Sequence, residues 1–371
     1  MNVPFVDLKS QYQSLKGEID AAIQPVFAKT AFVGGPHVRE FETAFAEKYG
    51  VKHCISCGNG TDAIYITLKA LGIGPGDEVI TVANSWISTS ETISQAGARP
   101  VFVDIDPDYY HIDPKKIEEK ISAKTKAVIP VHLFGQPVSI EEIKSICDKK
   151  GLFLVEDCAQ AHFATYRGRK VGTFGIAGTF SFYPGKNLGA YGDAGAVITN
   201  DDNLAQHVRM FANHGSLQKH HHEMEGINSR MDGLQAAILG VKLKYVDRWN
   251  RARHNNALIY NRLLSDITQT TTPKIRDNSF HIFHLYVIRV EKRDELAIFL
   301  KSKGIETGIH YPTALPFMPA YSYLGHKPSD FPVAFQVQNE ILSLPMFPEL
   351  DDDQINYVAS SIREFFYEEN Y

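Results

Sequence analysis

The chain is short of cysteine, tryptophan and sustained apolar sequence. Four cysteines in 371 residues (Cys54, Cys57, Cys147 and Cys158) are too few for a disulfide scaffold and fit a reducing, cytoplasmic setting. Cys54 and Cys57 form one C-x-x-C, but zinc needs a second pair at ligand spacing, which Cys147 and Cys158 do not supply, so no metal is expected. No run of about 18 apolar residues is present, so no membrane span is expected. The N-terminus, Met1-Asn-Val-Pro-Phe-Val-Asp7, lacks a basic region followed by an apolar stretch, so no signal peptide is expected. Without one, the sequon Asn59-Gly60-Thr61 has no meaning as a glycosylation site. A net charge of −5 gives no reason to expect nucleic acid or an acidic membrane as a partner.

What is there reads as an α/β protein. A chain of 371 residues that is 44% hydrophobic and 22% charged is ordinary for a globular protein and long for one core, so two domains are expected, residues 1–245 and 246–371. Up to about residue 240, short apolar runs at 54–56, 78–83, 100–104, 127–133, 153–155, 178–182 and 195–199 predict seven strands. Amphipathic stretches at 38–49, 61–71, 88–96, 140–149 and 203–211 lie between them. This alternation predicts a largely parallel sheet covered by helices, with the ligand beyond the C-terminal strand ends. Residues 231–264 read as one long helix or two consecutive ones. The smaller C-terminal α+β unit has predicted strands at 284–290 and 307–310 and helices at 293–303, 335–342 and 353–368.

The predicted strand ends carry the chemistry. Lys186 follows a strand into a turn dense in Pro and Gly, Ser181-Phe-Tyr-Pro-Gly-Lys-Asn-Leu-Gly189. A solvated lysine needs no such setting, whereas one that forms a Schiff base must be held still and partly dehydrated. The strand at 153–155 runs into Glu156-Asp157, and a carboxylate there can keep a pyridine nitrogen protonated, which makes the ring an electron sink. Asp157 is then expected to have a depressed pKa, because its partner is cationic. One carboxylate and one lysine at strand ends is what a pyridoxal phosphate site requires. Gln160 can reach the ring oxygen, and Ser181 can donate to the phosphate. His162 reads as a structural histidine. Gly58-Asn59-Gly60-Thr61, at a strand-to-helix junction, is either a phosphate cradle of free N–H groups or a plain turn with Thr61 as N-cap. Trp86, after another strand, either stacks on a flat ring or fills the core. Gly72-Ile-Gly74-Pro-Gly76 lies after a helix and before a strand, the wrong order for a dinucleotide loop, and reads as a helix stop.

The whole chain resembles the DegT/DnrJ nucleotide-sugar aminotransferases, which are fold-type I pyridoxal phosphate enzymes. The likeness runs through Pro4-Phe-Val-Asp-Leu8, Gly34-Gly35-Pro36, Gly60-Thr61-Asp62-Ala63, Gly74-Pro-Gly-Asp-Glu-Val79 and Pro130-Val-His-Leu-Phe-Gly135. It continues in Val155-Glu-Asp-Cys-Ala-Gln-Ala-His162, Phe180–Gly189, Gly226-Ile-Asn-Ser-Arg-Met231 and His310-Tyr-Pro312. The resemblance implies a large domain with a mostly parallel seven-stranded sheet. It implies Lys186 as the Schiff-base lysine, Asp157 as the pyridine-nitrogen partner and Gln160 as the ring-oxygen contact. It also implies Gly60, Thr61 and Ser181 at the phosphate and Trp86 on the ring face. Asn228 matches an asparagine that reaches the phosphate of the neighbouring subunit, which implies a homodimer with shared sites. Tyr183, Lys219, Arg230, His310 and Tyr311 are implied on the substrate side. The implied reaction moves an amino group from an amino acid, L-glutamate, to a keto sugar carried on a nucleoside diphosphate.

The stretches around Lys186, Asn213-His-Gly-Ser216 and Asn228 resemble most the branch that aminates C3 of 6-deoxy sugars; amination at C4 and sugar dehydration stand as alternatives. Dehydratases of the family carry histidine in place of the lysine, and Lys186 argues against that outcome. Lys219 and His220-His221-His222 lie either on a loop that meets the nucleotide diphosphate or on a solvated polar loop. Phe163 stands where relatives have glycine and is expected to narrow the pocket. Ala194 also replaces a glycine, and Phe317 stands where relatives often have histidine, so no role is expected there.

Overall fold

The computed structural model describes residues 1–368. Its main sheet is built from β1 (His53–Cys57), β2 (Glu78–Val82), β3 (Arg99–Val103), β4 (Thr125–Ile129) and β5 (Phe153–Asp157). After a short hairpin, β6 (Thr165–Tyr166) and β7 (Arg169–Lys170), come β8 (Ala177–Ser181) and β9 (Gly195–Thr199). The order is β1-β9-β8-β5-β4-β2-β3. β9 runs antiparallel to both neighbours, and the other six strands share one direction. Their C-terminal ends therefore lie along one edge.

Both faces of the sheet are buried, which is why its strands read as nearly continuous apolar runs. Alternate residues face opposite layers. Ala127 and Val155 pack with Ile64, Leu68 and Ile93 on one side. Val128 and Leu154 pack with Phe102, Ile143 and Cys147 on the other. A second sheet, from β10 (Thr270–Thr271), β12 (Tyr286–Val290) and β13 (Ile341–Leu344), is antiparallel. β11 (Ser279–Phe280) instead joins β6. The helices Val246–Leu264, Arg293–Ser302 and Asp352–Glu368 close a core around Tyr260, Tyr286, Leu296, Leu342 and Ile355.

Residues 231–264 form two helices, Gly233–Lys242 and Val246–Leu264. The predicted helix at 335–342 is not one element. A short helix covers Pro332–Val337, and Ile341–Leu344 is β13, buried at every position and paired with β12. A short apolar run has no periodicity that separates the two states, and the free edge of β12 decides it. The predicted strand at 307–310 is reduced to one bridge, Gly308 with Ser343.

Glu156 holds the strand-end region together. It is completely buried. Its Oε1 accepts from the N–H groups of Phe174 (2.6 Å) and Gly175 (2.8 Å), and its Oε2 from that of Gly172 (2.7 Å). His132 Nε2 lies 3.1 Å from Oε2. Because His132 Nδ1 accepts from the Val138 N–H, Nε2 carries the proton and donates to Glu156. Every acceptor position of this carboxylate is used, which also removes His132, Glu156 and Cys158 from consideration as a metal site. Glu156→Gln would turn an amide N–H against backbone donors, so a loss of about 3 kcal/mol is expected. Urea denaturation, read as a drop in midpoint at unchanged slope, checks this.

Candidate active site

Four strand ends meet along the C-terminal edge. Asp157 is the last residue of β5, and its neighbour across the sheet is Thr179 of β8. Asp157 is 4% exposed. Its Oδ2 accepts from the Thr89 hydroxyl at 2.8 Å and its Oδ1 from the Ala159 N–H at 3.0 Å. The depressed pKa expected of Asp157 belongs to its pairing with a cationic ring; in the protein's own environment the balance runs the other way. Burial raises the Asp157 carboxyl above its ordinary value, against the lowering pull of Ala159, Thr89, Lys186 and His132. Loss of hydration outweighs two hydrogen bonds and a nearby amine.

Lys186 rides on a loop closed by Phe182 and Ala190, whose N–H donates to the Phe182 carbonyl at 2.7 Å. The residue as a whole is half-buried, but its amine lies deep enough that burial pushes it down to about 8, with Asp157 pulling the other way. Among the described residues no hydrogen bond or ion pair engages that amine. The histidines around it are neutral. Burial lowers His310 to about 4 and His162 to about 3, and it holds His284 well below its usual range.

At the end of β1, Asn59 caps the helix Gly60–Ala70, its side chain accepting from the Asp62 N–H at 2.8 Å. Thr61 is therefore not the N-cap. Its hydroxyl lies 2.6 Å from Ser88 Oγ, and among the described residues the N–H groups of Gly60 and Thr61 have no acceptor. Ser181, at the end of β8, stands against this turn. A Cβ on Gly60 would lie 2.5 Å from Ser181 Cβ, and a Cβ on Gly195, the β9 residue between β1 and β8, would lie 2.3 Å from the Asn59 carbonyl oxygen. Only glycine at both positions lets two free amides and the hydroxyls of Thr61, Ser88 and Ser181 gather in one cradle. The cradle suits a phosphate, Asp157 suits a cationic ring nitrogen, and the free amine of Lys186 suits a carbonyl carbon, so these residues fit pyridoxal phosphate.

Gln160 is buried. Its carbonyl oxygen accepts from the Phe134 N–H at 2.6 Å, and its amide donates to the Tyr311 hydroxyl at 3.0 Å. Trp86 is 58% exposed and is not a core residue; its ring centroid lies 5.7 Å from that of Tyr311. His310 stacks on Phe5 at 5.6 Å and bonds Ser343 Oγ through Nδ1 at 2.8 Å. The structure thus gathers Trp86, Asp157, Gln160, Lys186, His310 and Tyr311, and sets Gly60, Thr61 and Ser181 beside one another.

The other predicted residues are exposed, although Tyr183 accepts from the Lys186 N–H at 2.8 Å and Ser229, between Asn228 and Arg230, accepts from the Gly58 N–H at 2.9 Å. Tyr183 is 60% exposed. Asn228 is exposed and bridges Asn213, and Arg230 and Lys219 are exposed. Among the described residues the side chains of Lys219 and Arg230 make no hydrogen bond or ion pair. Phe163 does not narrow the pocket. Its backbone is left-handed, with φ of +63°, which turns the ring into the core. There it stacks on Tyr49 at 4.5 Å and meets Phe45 edge-on. Thr89, Ser88, Phe5 and Asn187 belong to the site and were not anticipated. The first three are brought in by tertiary contact, whereas Asn187, next to Lys186 and fully buried, was available as a signal.

Residues 13–363 match the DegT/DnrJ/EryC1/StrS aminotransferase family. The chain is 49% identical to the pleiotropic regulatory protein of Geobacillus stearothermophilus, over 99% of each chain. It is 40% identical to the dTDP-3-amino-3,4,6-trideoxy-alpha-D-glucose transaminase of Streptomyces venezuelae, which spans 98% of this chain and 96% of that one. The crystal structure of S. venezuelae DesV in complex with a ketimine intermediate superposes with a TM-score of 0.97 at 40% identity, covering 99% of both chains. The chain belongs to the DegT/DnrJ/EryC1/StrS aminotransferase family, whose members depend on pyridoxal phosphate.

Proposed function

We propose that this protein transfers an amino group from L-glutamate to the keto carbon of a sugar carried on a nucleoside diphosphate, at C3 of a 6-deoxyhexose. The observation that carries the reading is a free, partly dehydrated lysine amine at the same sheet edge as a buried carboxylate. The choice of C3 draws on the S. venezuelae transaminase, whose product name places its amino group there.

Bound pyridoxal phosphate supplies an electron-withdrawing ring that takes up the charge left when a proton leaves the amino-bearing carbon. The remaining work falls to the chain. Gly60 and Thr61 offer N–H groups to the phosphate, and Ser181 a hydroxyl. Trp86 covers one ring face. Asp157 holds a proton on the ring nitrogen; a carboxylate whose charge is poorly stabilised by burial gains more from meeting a cation than a solvated one does. Gln160 keeps one amide hydrogen for the ring oxygen after serving Tyr311. Lys186 would hold the group through its amine and, once released, would move a proton to or from the substrate carbon. Tyr183, Lys219, Arg230, His310 and Tyr311 face the substrate.

The site is completed by a second copy of the chain, which contributes Asn228 to the phosphate. Supporting this, Asn228 lies exposed, and among the described residues its side chain makes no hydrogen bond. Buried, unpaired cysteines support a cytoplasmic setting. No described helix is long and apolar enough to cross a membrane.

Lys186→Ala should abolish formation of amino sugar and of stoichiometric 2-oxoglutarate while the far-ultraviolet circular dichroism stays unchanged. Turnover within about tenfold of wild type would rule out the role given to this lysine. Capture of pyridoxal phosphate by the cofactor-free protein, followed by visible absorbance, should speed up as pH rises to about 8 and then level off, because only the unprotonated amine reacts. Mixing inactive Lys186→Ala with weakened Asn228→Ala protein should restore activity: in hybrid dimers one site of two is intact, or about a quarter of all sites in an equal mixture. Recovery absent despite demonstrated subunit exchange would argue for sites contained in one chain.

A further inference from the structure

Asn187 follows Lys186 and is 2% exposed, so its side chain points away from solvent just where the loop presents the amine. Both of its donors and its oxygen are engaged. Its amide donates to Asn250 Oδ1 at 2.8 Å and to the Ile282 carbonyl at 3.2 Å. Its oxygen lies 3.2 Å from His284 Nδ1. The opposite amide orientation would set oxygen against the Ile282 carbonyl, so the assignment is forced, and His284 must donate through Nδ1.

Asn250, 1% exposed, extends the line. Its own amide donates to the His162 carbonyl at 2.9 Å. His162 ends the turn that begins at Asp157 and carries Gln160, a turn closed by the Ala159 N–H on Asp157 and the Ala161 N–H on the Cys158 carbonyl. On the same helix as Asn250, Arg253 donates to the carbonyls of Phe283, His284 and Met346, which fixes the segment that holds Asn187 from its other side.

We infer that Asn187 and Asn250 are positioning residues that set the Lys186 amine at a fixed offset from Asp157. This rests on the reading of Lys186 and Asp157 as the pair that grips opposite ends of one flat cofactor. β5 and β8 fix the bases of the two loops, but Lys186 stands five residues beyond the end of β8 and Gln160 three beyond the end of β5. The sheet alone does not set the distance between loops of that length. The two asparagines join them directly, through buried hydrogen bonds that leave little freedom. A rigid ring bonded at one end and ion-paired at the other tolerates little error in that offset.

The test uses the full-length protein loaded with pyridoxal phosphate, with Asn187→Ala and Asn250→Ala made singly and together. Each single change should lower kcat by about tenfold or more, with KM for both substrates within about threefold and the cofactor retained. The visible circular dichroism band of the bound cofactor, which reports its orientation, should weaken or change sign at unchanged absorbance. The double variant should be no worse than the poorer single one within about threefold, because the two act as one link. A wild type that neither holds the cofactor nor transaminates would overturn the reading of the site itself. An active wild type with both variants within about twofold in kcat would overturn this inference alone. Independent, multiplying losses would do the same, as would kcat, KM and cofactor retention failing together, since that signals general loosening. If Asn187→Ala does not fold, Asn250→Ala is judged by the same readings. If neither folds, the pair serves the fold and not the lysine, and the inference is lost.

Discussion

The parallel pairing of β5 with β8 is the constraint on which the rest depends. With Asp157 opposite Thr179, the carboxylate and the start of the lysine loop emerge side by side, about 4.8 Å apart, from the edge of a buried sheet. The register also separates two adjacent carboxylates. Glu156 points to one face and takes the backbone donors of residues 172–175, while Asp157 points to the other and takes Thr89. A slip of one residue would exchange their faces. The carboxylate built to be saturated would then enter the site, and the one left with capacity for a cation would lie in the scaffold.

The electrostatics of the cleft follow from the same burial. Asp157 is raised and Lys186 lowered, each pushed toward its neutral form by lost hydration and only partly restrained by the other. A cleft of this kind gains most from a ligand that brings the missing charges itself. The surrounding histidines are arranged not to interfere. His162, His284 and His310 all have burial as the largest cause of a lowered pKa, with Lys186 adding to it. None of these three competes as an imidazolium with the amine for the carboxylate or adds positive charge around the lysine.

Most of the scaffold was legible because burial on both faces writes itself into the sequence as short apolar runs, and because the turns that follow them concentrate Gly, Pro and polar residues. The runs ending at Asp157 and Ser181 were visible for that reason. The end of the helix predicted at 335–342 was misread because a short apolar segment takes the structure its neighbours offer, and β12 offered a pairing edge. Phe163 was misread because the side chain of a residue in a left-handed turn leaves in a direction that composition does not reveal. Thr89 and Ser88 arrive from a helix on another strand's connection, and no local pattern marks a hydroxyl as the donor to a carboxylate 68 residues away.

The two halves of the site are built differently. The half proposed to grip the cofactor comes from strand ends and the turns next to them, cross-tied by Glu156, Thr89, Asn187 and Asn250, all buried. The side chains proposed to meet the sugar from Tyr183, Lys219 and Arg230 are exposed. Exposed loop positions accept substitution at little cost to the core, whereas a change at a fully bonded buried amide propagates along the network. His310 and Tyr311 are where the two halves touch. Tyr311 accepts from Gln160 and lies against the exposed Trp86, so one side chain ties the residue proposed for the ring oxygen to the one proposed for the ring face.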